Sequence, residues 1–382
     1  MDFVRHDTAI KLFYSNLDSF LERGIFENRK IIMFGTSKIA SMIIYYLKVR
    51  GIDTVAIVDN DVKRQGTIVF GINVYSPDKY LRKFDEQNLI LIASSYQDSM
   101  IKQLEKMGYQ YETHVIKVID LPKVMNDYSF VDRTGLKKMT REDIRAHQMN
   151  VLKYYKKICD ENNLRYFLCG GTLLGAVRYK GYIPWDDDID VYMEMKDLKK
   201  LVKILKNDTN FGIASFVDEE ADYYDECSLM YERNSIMDSN HFPMQISAGI
   251  SIDIFPLVGL PDDEDELKEY ISVIKELEAD KWNKLYDKYL LRKASKKLVD
   301  YMSSFDFDDH KTCGFLLSRY FMREIMPSSY FKGHKEVEFE GEFFHAPLCT
   351  HEYLEHIHGV DYMTPPPKEL QVAGHYYNAY YK

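Results

Sequence analysis

Four aspartates fall within five residues, at Asp186, Asp187, Asp188 and Asp190. From Asp188 onward polar and apolar residues alternate, which predicts a strand with Asp188, Asp190 and Tyr192 on one face and Ile189, Val191 and Met193 on the other. A second alternating run, Gly249–Phe255, puts Asp253 between Ser251 and Phe255 on one face. Carboxylates a few ångströms apart repel strongly unless a positive charge sits between them. Hard oxygen donors at that spacing suit Mg²⁺ or Mn²⁺. Such ions bridge carboxylates and phosphate oxygens and hold attacking and leaving oxygens in line. Asp188, Asp190 and Asp253 are therefore the expected catalytic and metal-binding trio. A solvated acidic loop would not need Ile, Val and Met in strict alternation.

Upstream, Gly170-Gly171-Thr172 reads as a turn at a helix start, offering backbone N–H groups and a hydroxyl to an anion. Arg178 can contact further phosphate oxygens as a fork and Lys180 as a point charge. Asp186 either joins the metal ligands or, with Asp187, pairs with Arg178 and orders the turn. A quaternary ammonium would want an aromatic cage, for which Tyr179, Tyr182, Trp185 and Tyr192 flank the acidic motif; each could equally be core. His345, His351, His356, His358 and His375 lack thiolate partners and clean ligand spacing, so they read as surface or packing residues. His375, in a Gly-His pair near the end, is the one expected to touch substrate. No GxSxG elbow or Cys/His nucleophile pattern occurs, which argues against covalent acyl chemistry.

These residues need two kinds of scaffold. Residues 1–28 read as a helical lead-in with Leu12, Phe13, Leu17, Phe20 and Leu21 on one face. Strands at Lys30–Phe34, Thr54–Val58, Leu89–Ala93 and His114–Val118 alternate with helices at Ile39–Val49 and Ser99–Met107, which implies a parallel, doubly wound sheet. Gly35-Thr-Ser-Lys-Ile-Ala40 occupies the place of a dinucleotide fingerprint, but Ser37 replaces its middle glycine, so a structural or docking module is favoured over a nucleotide site. A polar connector follows. Thr140 and Asp143 resemble a capping box opening an amphipathic helix to Asn162-Asn163, and Arg165–Cys169 is a strand into the glycine turn. The expected division is an α/β Rossmann-like domain over 1–120, a linker over 121–139 and an α+β catalytic domain over 140–382. The acidic run Asp262–Glu266 is better explained as a helix start than as a site.

The bulk numbers narrow the classes. With 382 residues, 46% hydrophobic and 29% charged, the chain is ordinary globular material. A net charge of −10 argues against nucleic acid as a partner. Five scattered cysteines fit free thiols in a reducing compartment. The start has no signal-peptide core and no run of 18 apolar residues occurs, so a cytoplasmic protein without a transmembrane segment is expected. The basic stretch Lys281–Lys297 could meet a lipid-linked acceptor at the inner membrane face, although a solvated helix face is the commoner outcome.

The string GGTLLGAVRYKGYIPWDDDIDVYM resembles the signature of the LicD-type phosphotransferase family, within the nucleotidyltransferase-fold superfamily. GISIDIFPLVGL is similar to that family's third-carboxylate strand, and FEGEFFHAPLCTHEYLEHIHGVDYMTPPP to its closing segment. His358-Gly359-Val360-Asp361 departs from the pattern by one extra residue before Tyr362-Met363. The resemblance implies Mg²⁺-dependent transfer of phosphocholine, or a related phospho-alcohol, from a CDP-activated donor to a sugar hydroxyl on a glycan or lipid-linked glycan. CDP-choline is the favoured donor. CDP forms of ethanolamine phosphate, aminoethylphosphonate or a polyol phosphate are the near alternatives. A true nucleotidyltransferase using NTP and a nucleotide-sensing scaffold remain as readings of other classes. By motif, Gly171 and Thr172 would cradle phosphate, Asp188 and Asp190 would bind Mg²⁺, and Asp253 would complete the metal site or accept the acceptor's proton.

Overall fold

A computed structural model of the chain describes residues 3–285, 287–318, 323–371 and 377–382. The first elements are β1 (Val4–His6), α1 (Thr8–Glu22), β2 (Lys30–Phe34), α2 (Lys38–Lys48), β3 (Thr54–Val58), β4 (Ile68–Val69), β5 (Ile72–Tyr75), α3 (Pro77–Tyr80), β6 (Asn88–Ile92), α4 (Gln97–Lys106), β7 (Val115–Lys117) and α5 (Leu121–Asn126). Strands β5, β3, β2, β6 and β7 lie side by side and parallel, with β4 antiparallel at one edge. Ile31 and Met33 of β2 join one core with Phe13 and Leu17 of α1 and Ile43 and Leu47 of α2. Ile32 and Phe34 join another with Leu104 of α4. A sheet covered on both faces needs apolar side chains at every position, which is why these strands are continuous runs without alternation. Parallel strands alternating with helices match the expectation. The lead-in does not run as one helix: Val4–His6 forms a strand, and Leu12 is 47% exposed while Phe13 and Leu17 are sealed.

The remainder comprises α6 (Arg141–Asn162), β8 (Tyr166–Leu168), α7 (Gly170–Tyr179), β9 (Asp190–Glu194), α8 (Met195–Leu205), β10 (Phe211–Ala214), β11 (Ser228–Glu232), β12 (Ser235–His241), β13 (Met244–Ala248), β14 (Ser251–Leu260), α9 (Glu264–Trp282), α10 (Lys288–Met302), β15 (Thr312–Gly314), β16 (Ile325–Pro327), β17 (His334–Phe339), β18 (Glu342–Pro347), α11 (Thr350–His358) and β19 (Tyr377–Tyr381). A central sheet runs β10-β11-β14-β15-β16, with β9 parallel to β14 and β8 antiparallel to β9. Thr140 and Asp143 close the expected capping box on α6, and the Asp263 side chain caps α9. Ile189, Val191 and Met193 are fully buried, as are Ile252 and Ile254. On the opposite face Asp190 and Asp253 are only partly buried.

The whole is a mixed α/β protein with several sheets, and its parts share contacts. Strand β1 pairs antiparallel with β13 in a four-stranded sheet β1-β13-β12-β19. The core under α1 and α2 continues into Tyr223, Tyr231, Trp282 and Leu291 of the later segments.

Candidate active site

The glycine turn and the acidic motif are brought together by one short strand pairing. Leu168 of β8 pairs with Val191 of β9, and the Cys169 N–H donates to the Asp190 carbonyl at 3.2 Å. This sets the start of α7 directly over the aspartates. A Cβ placed on Gly170 would stand 3.2 Å from Asp190 Oδ2, and one on Gly171 only 2.7 Å from Asp186 Oδ2. Gly170 also adopts φ +49°, a conformation side chains resist. The two glycines therefore let backbone and carboxylates approach each other closely. Thr172 is buried, and its Oγ1 accepts the Asp190 N–H at 2.8 Å, which fixes the first residue of β9.

Asp190 is the register partner of Asp253 on β14, and the Asp253 N–H donates to the Ile189 carbonyl at 2.8 Å. Adjacent strands lie about 4.8 Å apart, so these two carboxylates leave the sheet side by side on its non-core face. Asp186, Asp187 and Asp188 precede the strand in a loop, and each offers a carboxylate oxygen within 4.8 Å of the others. The buried Cys169 thiol is pushed well above its ordinary range, first by burial and then by the negative charge of Asp190, Glu324, Asp188 and Asp253. Asp190, Glu324, Asp188 and Asp253 thus all lie close enough to the Cys169 thiol to act on it. Burial, followed by the charge of Asp188, raises the Asp186 carboxyl to about 7. Hard oxygen donors crowded to the point of mutual repulsion are the donor set a small divalent cation satisfies. The residues fit Mg²⁺ or Mn²⁺.

The other expected contacts are placed elsewhere. Arg178 and Lys180 sit at the far end of α7, about 12 Å or more from the glycine turn at 1.5 Å per residue. Arg178 Nη2 donates to the Thr364 carbonyl at 3.2 Å, and Lys180, at the left-handed cap, pairs with Glu338 at 2.8 Å. Trp185 is half-buried against the core. Tyr192 is sealed among Phe255, Phe331 and Tyr353, with its hydroxyl bound to Glu324. The Tyr182 ring is buried and carries the Arg145 guanidinium 4.4 Å above its centre. His375 lies outside the described residues.

Several residues at the site carried no signal in the linear motif. Helix α11 holds the glycine turn from outside: Gly170 N–H donates to the Tyr353 hydroxyl at 3.0 Å, and its carbonyl accepts from His358 Nε2 at 3.3 Å. From α6, Arg141, Arg145 and Gln148 reach the carbonyls of residues 183–187. Their spacing of four and then three residues is a single helix stripe, which was the available clue. Glu324, buried beside Tyr192 and raised above the usual carboxylate range by that burial, comes from a segment with no recognisable pattern.

Residues 163–259 match the LicD/FKTN/FKRP nucleotidyltransferase domain family. The chain thus contains a LicD-family domain. Over 64% of its length it is 29% identical to the lipopolysaccharide cholinephosphotransferase LicD of Haemophilus influenzae, covering 99% of that protein. A shorter stretch, 26% of the chain, is 27% identical to mouse ribitol 5-phosphate transferase FKRP and covers 20% of it. Both named relatives move phosphate-containing groups, and this chain is an enzyme of that kind. Residues 27–116 match a second family, the C2185-like N-terminal domain.

Two side chains of the Gly35–Ala40 turn are engaged by the protein's own residues. Thr36 Oγ1 donates to Asp59 at 2.8 Å, and Lys38 pairs with Glu226 and Glu278 and stands 5.0 Å over the Trp282 ring. Of the basic stretch, Lys281 is tied inward, while Lys288 and Lys296 are largely exposed and make surface pairs. Lys281 is fully buried with its amine donating to the Tyr224 carbonyl, Lys288 pairs with Asp222, and Lys296 with Glu219. No helix among the described residues is long and apolar enough to cross a membrane. A groove of about 1020 Å³ lies by Arg5, Lys206 and Arg233, and none of the clustered aspartates lines it.

Proposed function

We propose that the enzyme transfers phosphocholine from CDP-choline to a sugar hydroxyl of a cell-surface glycan or its lipid-linked precursor, releasing CMP. The observation that carries this reading is the register pairing of Asp190 with Asp253 beneath a glycine turn, beside the Asp186–Asp188 cluster. Its coarser part, movement of a phospho-alcohol group onto a glycan, is supported by what the LicD and FKRP relatives are named for. Asp188, Asp190 and Asp253, with Asp186, would hold Mg²⁺ or Mn²⁺, which when bound neutralises charge on the donor's phosphates. Asp253, on the neighbouring strand, either completes that ligand set or, left uncoordinated, takes the proton of the acceptor hydroxyl as the hydroxyl oxygen bonds to phosphorus. The bond from phosphorus to the CMP oxygen breaks in the same displacement. Backbone N–H of Gly171 and Thr172 faces the donor's phosphate at the start of α7, where the helix dipole favours negative charge. Trp185 and His375 remain proposed for the substrate side, whereas Arg178 and Lys180, tied to Thr364 and Glu338 at the far end of α7, and Tyr192, sealed in the core, do not. Work on the cytoplasmic side of the membrane fits this assignment.

The name of FKRP favours one second reading, a polyol phosphate in place of phosphocholine. Incubating the purified chain with Mg²⁺ and a panel of CDP-alcohols and NTPs, and following CMP and pyrophosphate, separates the readings. CMP release from CDP-choline alone supports the first and release from a CDP-polyol the second; pyrophosphate from NTPs overturns both. Asp188→Asn should cut turnover by more than the roughly 100-fold that residues merely supporting a metal ligand cost, with an unchanged circular dichroism spectrum.

A further inference from the structure

The acidic loop cannot hold its shape unaided. Three consecutive aspartates repel one another, and nothing in the period of a strand governs them, because β9 begins only at Asp190. What directs a side chain in such a loop is the backbone, and here the backbone carbonyls are held by α6. Arg145 Nη2 donates to the carbonyls of Ile183 at 3.1 Å, Pro184 at 3.3 Å and Asp186 at 2.6 Å. Arg141 donates to Trp185 at 2.8 Å and to Pro184 at 3.4 Å, and Gln148 Nε2 to Asp187 at 2.9 Å. Every carbonyl from 183 to 187 is thus fastened to one helix.

Arg145 is the centre of this clamp. Its guanidinium lies over the Tyr182 ring, and that ring is fixed in turn by its hydroxyl donating to Gln148 Oε1 at 3.1 Å. All three contacts use one terminal nitrogen, Nη2, whose two N–H groups are shared among them and whose place is fixed because the flat guanidinium is stacked on the aromatic ring. A lysine ammonium, a compact charge on a flexible stem, has no flat group to stack and is not held in that place. We propose that Arg145 is a positioning residue for the divalent-cation centre: by holding the carbonyls of Ile183, Pro184 and Asp186 it aims the Asp186, Asp187 and Asp188 carboxylates at one point. The inference rests on the reading of that cluster as a cation site, and it adds the part of the fold that makes the cluster converge.

The test is Mn²⁺ binding to the full chain, followed by electron paramagnetic resonance without substrate, alongside thermal melting. Arg145→Lys keeps the charge and loses the planar group stacked on Tyr182. Its Mn²⁺ dissociation constant should rise roughly 10–100-fold, the range for residues that orient metal ligands, while the melting temperature stays near that of the parent. Arg141→Gln should shift affinity in the same direction by less. Arg165→Lys should leave it unchanged, because Arg165 binds Glu194 and Asp308 at the opposite end of β9. Parent-like Mn²⁺ affinity in Arg145→Lys, with the parent binding normally, overturns the clamp and leaves the cation site standing. Should Arg145→Lys fail to fold, unchanged affinity in folded Arg141→Gln overturns it equally. A parent protein that binds no Mn²⁺ removes both the cation site and the clamp.

Discussion

Gly171 and Asp186 are so close that a single methyl group would collide with the carboxylate, at 2.7 Å from Oδ2. Glycine at this position therefore has a steric role in addition to the anion-cradling one its motif suggests. Gly171→Ala should displace the Asp186 carboxylate, cost about 1–3 kcal/mol by overpacking, and lower turnover together with Mn²⁺ affinity. Urea unfolding and the Mn²⁺ titration check the two parts separately, and full activity in a stably folded Gly171→Ala would show that Asp186 is dispensable. At this scale the acidic motif was legible because residue type and spacing carry it. Arg145, His358 and Glu324 were not, because their partners are backbone atoms or side chains that lie far off in sequence.

Among the elements, the β17–β18 hairpin shows how packing changes a titratable group. His345 is stacked between His334, 3.7 Å away, and Tyr166, 4.7 Å away. Burial first, then the positive charge of His334 and Lys156, lowers its pKa to about 4. The folded state thus binds this proton less readily than the unfolded chain, whose histidines titrate near 6.5. Stability from this group is complete above about 6.5 and is lost as pH falls toward 4. His345→Gln should flatten that part of the melting-temperature profile by on the order of 1 kcal/mol, allowing for partial solvent exposure; an identical profile in the variant would refute the assignment. Elsewhere, element-level signals translated well: the capping box on α6 and the acidic start of α9 both formed as local chemistry requires. Val4–His6 did not follow its local pattern, because pairing with Met244–Ala248 outweighs the helical preference of three residues.

For the molecule as a whole, the shared core under α1 and α2 couples regions that differ in sequence character. A core that crosses between them should make the chain unfold as one unit. Calorimetry should show a single transition, and Leu17→Ala, which opens a cavity at a fully buried site, should lower it by about 2–5 kcal/mol without splitting it. Two resolved transitions, with only the first moved by Leu17→Ala, would mean that the regions are independent.

Period and composition were enough to read the parallel sheet, the two acidic strands and the class of chemistry, since side-chain alternation and hard-donor clustering are local properties of the chain. Convergence was not local. That Asp190 faces Asp253, that α6 grips the acidic loop and that α11 holds Gly170 follow from pairings across as many as 188 residues. Such contacts form only when the core closes, because burial of apolar faces, and no adjacent motif, decides which distant segments meet.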